Sequence, residues 1–212
     1  MSGISAQNST LQIATGTGGA KTITAITATN PVVLTSVAHG FTNGTVVALA
    51  AIVGTIGTAL LNGTSRVVSN VTADTYALLD ANGVGLVYTS GGTATPTTYT
   101  KINGVTSFSG LDGAATDIDA TDLDSTAMEY INGLVEEGAF SFDMKVLSAD
   151  NGQISVRAAR ASGALTGMKL TFPNATTATF NMLVKGIPTA AAVNGILTTT
   201  VSTKISGSVV FA

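Results

Sequence analysis

The chain has 212 residues, enough to bury one large core or two small ones; 45% are hydrophobic, 10% charged and 5% aromatic. A net charge of −3 argues against whole-chain attraction to nucleic acid or anionic lipid. The absence of cysteine excludes disulfides, thiolate metal sites and cysteine nucleophiles.

In chain order, Met1-Ser2-Gly3-Ile4-Ser5-Ala6 has neither a basic nor an apolar run, so no secretory signal is expected, and synthesis in a cytoplasm is the default. Residues 10–14 read as an opening strand. Ala14-Thr15-Gly16-Thr17-Gly18-Gly19-Ala20 reads as a flexible joint. Its overlap with Thr15–Thr22 superficially evokes a phosphate-binding loop. That motif needs glycine directly before its lysine, and here Ala20 precedes Lys21; Thr15 also stands where the first glycine belongs. A strand pattern follows, so no helix N-terminus would face a phosphate.

β-Branched runs then occupy 23–29, 32–37, 45–52, 65–71 and 75–79, in a chain with 35 threonines and no tryptophan. Asn-Gly pairs at 43–44, 62–63, 82–83, 103–104, 132–133, 151–152 and 194–195 are strong turn signals, because both residues tolerate positive φ. His39 falls at a strand-to-turn junction. As a catalytic base it would need a nucleophile and an orienting acid, so a ring bonded to the local backbone is the expectation. Ser90-Gly91-Gly92-Thr93-Ala94-Thr95-Pro96 reads as a second flexible joint. The two joints bracket a small β module at 21–95, inserted into a larger domain formed by 1–20 and 96–212.

Eight of the twelve carboxylates fall within 112–137 (Asp112, Asp117, Asp119, Asp122, Asp124, Glu129, Glu136 and Glu137), and no Lys or Arg occurs between Lys101 and Lys145. Four readings stand open. The spacing misses the EF-hand pattern, which leaves only a different kind of calcium site. Paired carboxylates for glycoside hydrolysis would normally need sugar-stacking aromatics, and there are four tyrosines. The remaining readings are a solvated acidic loop and an acidic loop that meets a partner.

Beyond the acidic stretch, Phe140-Ser141-Phe142-Asp143-Met144-Lys145-Val146 alternates apolar with polar, as does Met168-Lys169-Leu170-Thr171-Phe172. Pro173-Asn174-Ala175-Thr176 is a turn, and Ala178, Phe180, Met182 and Val184 line one face of the next strand. Leu197, Val201, Ile205, Val209 and Phe211 form the apolar face of a last strand, with threonines opposite. One segment breaks the β pattern. Over 151–162, Ile154, Ala158, Ala161 and Leu165 recur at helical spacing, with Ser148 or Asp150 to cap the start and Gly163 at the end. Arg157 and Arg160 sit three apart on the flank of that helix. Asn-X-Ser/Thr sequons at Asn8, Asn43, Asn62, Asn70 and Asn174 follow from threonine abundance. The expected fold is all-β, a sandwich or barrel with one flanking α-helix, plus the small inserted all-β domain.

Several stretches occur in a telling order: Val105-Thr106-Ser107-Phe108-Ser109-Gly110, Ile118-Asp119-Ala120-Thr121-Asp122-Leu123-Asp124-Ser125-Thr126-Ala127, and Gly133-Leu134-Val135-Glu136-Glu137-Gly138. The strand from Phe140, the helix with Arg157-Ala158-Ala159-Arg160, Leu170-Thr171-Phe172-Pro173-Asn174 and Ile205-Ser206-Gly207-Ser208-Val209 complete it. From Ile102 onward the chain thereby resembles the tail tube proteins of long-tailed, siphovirus-type bacteriophages. A second resemblance rests on Ile26-Thr27-Ala28-Thr29-Asn30-Pro31-Val32-Val33, Ala38-His39-Gly40-Phe41, Leu61-Asn62-Gly63 and Thr72-Ala73-Asp74-Thr75-Tyr76. Through them residues 21–95 resemble the β module called ubiquitin-activating-enzyme FCCH-like when it occurs in phage proteins. Without cysteine, ubiquitin chemistry is not implied.

The first resemblance implies a non-enzymatic structural virion protein that needs no cofactor or metal. Six copies would form a ring, and stacked rings would form the tube through which DNA passes without specific binding. Asp117, Asp119, Asp122 and Asp124 would lie in an inter-subunit loop, with Arg157 and Arg160 as candidate partners on a neighbour. Tape measure, tail terminator and distal tail proteins would be further partners, no membrane would be involved, and assembly would occur in the host bacterial cytoplasm. The inserted module would face outward. The alternative is a decoration or adhesin protein that binds a host-surface ligand through 21–95. Sparse charge agrees with assembly, because a surface poor in charge is suited to being covered by neighbours.

Overall fold

β-Branched and small residues broken by frequent turns give sixteen strands and a single α-helix in the computed structural model, counted among the described residues, 6–212. This meets the all-β expectation with one helix. Met1-Ser2-Gly3-Ile4-Ser5, most of the segment expected to lack a secretory signal, lies outside the described residues. The chain packs as two units, one from residues up to 100 with 169–179 and 210–212, the other from 101–168 and 180–209.

The first unit contains β1 (Thr10–Thr17), β2 (Lys21–Thr22), β3 (Ala25–Thr27), β4 (Val33–Thr35), β5 (Val46–Val53), β6 (Ser65–Ser69), β7 (Thr75–Leu78) and β8 (Ser90–Lys101), with a π-helical turn at Gly57–Leu61. The strand order is β3-β4-β7-β6-β5-β8-β1, and β2 also pairs with β8. Leu34 lies opposite both Ile26 and Tyr76. One apolar cluster, with Val32, Leu34, Leu49, Ile56, Tyr76 and Leu78 among its members, is drawn wholly from residues 23–94.

Most of the first expected flexible joint and all of the second are strand instead. Residues 14–17 belong to β1 and 90–96 to β8. β8 pairs Ala94 with Lys21 of β2 and with Leu49 of β5. Small side chains that read as loose in the sequence let β8 run between two neighbours. Gly92 shows why: its φ is +116°, and a Cβ there would lie 2.7 Å from Ile52 Cγ1.

The second unit contains β9 (Val105–Gly110), β10 (Ala114–Asp119), β11 (Tyr130–Glu136), β12 (Ala139–Lys145), α1 (Asn151–Ser162), β13 (Thr166–Thr171), β14 (Thr177–Gly186), β15 (Thr189–Ala190) and β16 (Thr198–Phe211); β13, β14 and β16 contribute in part. Its order is β13-β14-β16-β12-β9, with β15 on β16 and β10 paired with β11 as a separate two-stranded sheet. The alternation expected from Phe140 onward is observed: Phe140, Phe142 and Met144 are buried. Phe140 meets Phe180 edge to face, with ring centroids 5.1 Å apart.

On β16 the threonines do not all oppose the apolar face. Thr199 and Thr203 are buried beside Val201 and Ile205, whereas Leu197 and Phe211 are exposed. The Thr203 hydroxyl donates to the Phe140 carbonyl and the Thr199 hydroxyl to that of Pro188, both at 2.7 Å, so burial leaves neither of these two hydroxyls unpaired.

The helix ends as expected and turns a different face inward. Asp150 caps the start by accepting from the Gln153 N–H, and Gly163 closes the end at φ +65°. The buried residues are Gly152, Gln153, Val156 and Ala159, while Ile154 and Leu165 are exposed. Gln153 decides the orientation. Its amide nitrogen donates to the carbonyls of Asn103 and Lys145, and its oxygen accepts from the Leu147 N–H. Gly152 admits this close fit, because a Cβ would lie 2.3 Å from the Lys101 carbonyl oxygen. Asn151-Gly152 therefore opens a helix rather than a turn, and Asn132-Gly133 lies inside β11 at a register shift.

Candidate assembly surface

The acidic segment folds as the β10–β11 hairpin. Ile118 lies opposite Ile131, so these two side chains share a face; Asp117 opposite Asn132 and Asp119 opposite Tyr130 occupy the other. At the loop, Asp119 Oδ1 accepts from the Thr121 N–H at 2.9 Å, and Asp122 Oδ1 accepts from the Asp124 N–H at 3.0 Å. Hydrogen bonds from the Thr121 side chain and backbone hold the Asp119 carboxyl below its ordinary value. Glu136, at the base, pairs with Lys204.

Both faces of this hairpin are open. Ile118, Met128, Tyr130, Ile131 and Val135 are exposed, Leu134 is 91% exposed and Leu123 fully so. An isolated two-stranded sheet is marginal in water, and contiguous exposed apolar surface marks a place that another molecule covers. The sequence reading singled out the carboxylates and missed these apolar residues. The signal available was a run of large apolar side chains, 128–135, lying within a stretch too acidic to be core.

Arg157 and Arg160 lie on the exposed side of α1 and line a groove of about 450 Å³ with Met144, Val146, Gln153 and Ala161. Neither arginine has an ion-pair or hydrogen-bond partner among the described residues. The four aspartates are thus gathered on one hairpin and the two arginines on one groove, and the chain does not pair the two sets internally. His39 is buried elsewhere, as its sequence context suggested: Nδ1 accepts from the Phe41 N–H at 2.9 Å, and its ring packs 5.0 Å from that of Tyr76. Among the described residues no three His, Cys, Asp or Glu side chains are placed to hold a metal.

These features define an all-β protein with an open apolar and acidic hairpin, the kind of surface that other proteins cover. Residues 86–212 match the family described as lambda phage tail tube protein, TTP, and the chain belongs to that family. It is a structural component of a phage tail. Among solved structures it is similar to the tail of an empty GTA particle refined helically with C6 symmetry, at 18% identity and TM-score 0.47, over 54% of this chain and 86% of that one. It is also similar to a chain of the six-fold symmetrised anti-feeding prophage (AFP) baseplate (13%, TM-score 0.41, 54% and 84%) and to Hcp1 from Salmonella typhimurium (14%, TM-score 0.31, 54% and 78%). No curated protein matches the chain.

Proposed function

We propose that this chain self-assembles into hexameric rings that stack into the tail tube, through which DNA passes to the host. The observation that carries this reading is the β10–β11 hairpin, which leaves Leu123, Leu134 and their apolar neighbours uncovered in the single chain. Assembly would bury them, and family membership supplies the kind of assembly. Asp117, Asp119, Asp122 and Asp124 then lie at subunit interfaces, as do Arg157 and Arg160. A net charge of −3 suits a conduit that DNA traverses without sticking. The tape measure, tail terminator and distal tail proteins are its further partners, and assembly takes place in the host cytoplasm.

Residues 21–95 form an inserted, FCCH-like module on the tube exterior. The apolar cluster drawn from 23–94 supports this reading, since an inserted module carries a core of its own. Negative-stain microscopy of the purified protein tests the assembly: rings or tubes of six-fold symmetry are expected, and monomers persisting at high concentration would refute it. Removing 21–95 tests the insert, with tube formation expected to survive.

A further inference from the structure

We infer that the groove beside α1 is the socket for the hairpin loop of a second copy of this chain, with Leu123 entering its apolar wall and Asp122 and Asp124 pairing with Arg157 and Arg160. This rests on the proposed self-assembly and names the surfaces that meet.

The groove is short of anions. Gln153 spends both donors and its acceptor on backbone groups, so the free charged groups in its wall are the two guanidiniums, which no carboxylate of the described residues engages. Met144, Val146 and Ala161 give it an apolar side. Its volume of about 450 Å³ lies in the range of roughly 300–1,000 Å³ typical of binding pockets, ample for one leucine and two flanking carboxylates.

The hairpin loop is the complement. Leu123 is fully exposed and stands between Asp122 and Asp124. Their stretch holds eight of the twelve carboxylates and no cation. Two such hairpins repel each other, which favours a cationic acceptor elsewhere on the partner. The loop of the same chain does not occupy this groove, because none of the residues 111–137 lines it. Arginine suits the role, since its planar fork takes a carboxylate with two parallel hydrogen bonds.

The absence of cysteine makes the test clean. Leu123→Cys protein is mixed with Ala161→Cys protein under assembling conditions and mildly oxidised. A covalent dimer of one of each is expected on a non-reducing gel. In parallel, Arg157→Asp with Arg160→Asp should raise the concentration needed for tubes by about tenfold or more, and adding Asp122→Arg with Asp124→Arg should return it to within about threefold of wild type. Wild-type tubes without the 123–161 cross-link would overturn the socket and leave tube assembly standing. So would a charge swap that keeps a native circular dichroism spectrum yet restores nothing. A wild-type chain that never assembles would overturn both.

Discussion

Residues 23–94 and residues 112–137 are both β-structure rich in apolar side chains, yet they dispose of those side chains in opposite ways. In the first region Leu34, Leu49, Tyr76 and Leu78 converge on one cluster and leave water almost completely. In the second, Ile118, Leu123, Ile131 and Leu134 stay in it. The cause is topological. Strands β3 to β8 fold over one another and share a core, whereas β10 and β11 pair only with each other and have no layer to cover either face. Burial stabilises by roughly 25 cal/mol per Å² of apolar surface, so the first region has already collected that contribution within the chain. The second holds it in reserve for assembly.

The widest separation between the regions should appear on truncation of a core leucine. Leu49→Ala is expected to cost about 2–5 kcal/mol in urea unfolding of the unassembled protein, through lost burial and a residual cavity. A loss below about 1 kcal/mol would remove the basis for treating 23–94 as a closed core.

The helix that frames the groove should respond less strongly. Asp150→Ala removes the N-cap and is expected to cost about 1 kcal/mol, whereas Asp150→Asn keeps a capping oxygen. pH separates these two effects. Burial alone would raise the Asp150 carboxyl, but hydrogen bonds from Asn103, Gln153 and Gly152 outweigh it and hold the carboxyl below its ordinary value. A depressed folded pKa means that the contribution is complete above the unfolded value of about 3.9 and fades as pH falls through the folded one. The advantage of wild type over Asp150→Asn should therefore shrink as acid titration proceeds below about pH 4. An advantage unchanged down to pH 2 would contradict the assignment. Asp143, lowered by hydrogen bonds from Thr200 and then Ser107, should lose its contribution in the same direction.

The smallest effect on the single chain is expected from Leu134→Ala, within about 0.5 kcal/mol, because its side chain buries nothing there. Its effect should appear in assembly instead, as a higher concentration needed for tubes by microscopy or light scattering. A large loss of monomer stability would show that the hairpin has an internal partner and would collapse the contrast between the regions.

The sequence by itself determined the class of the fold, the positions of most strands and both ends of the helix. These depend on local chemistry: the period-two alternation from Phe140, β-branched runs between turns, and the Asp150 and Gly163 caps. It also located the charge asymmetry, since a run of carboxylates without a cation needs no structure to be seen. Only the tertiary structure decided what faces inward. Composition misread 14–17 and 90–96, within the glycine- and threonine-rich stretches 14–20 and 90–96, as parts of joints, because pairing with neighbouring strands holds them and their small side chains give little local sign of it. Helical spacing favoured Ile154, Ala158 and Ala161 as the buried stripe. Three backbone groups that satisfy one glutamine turned the helix to bury Gln153, Val156 and Ala159 instead. The apolar residues of the hairpin could be recognised as surface only once the fold had left them without a facing layer.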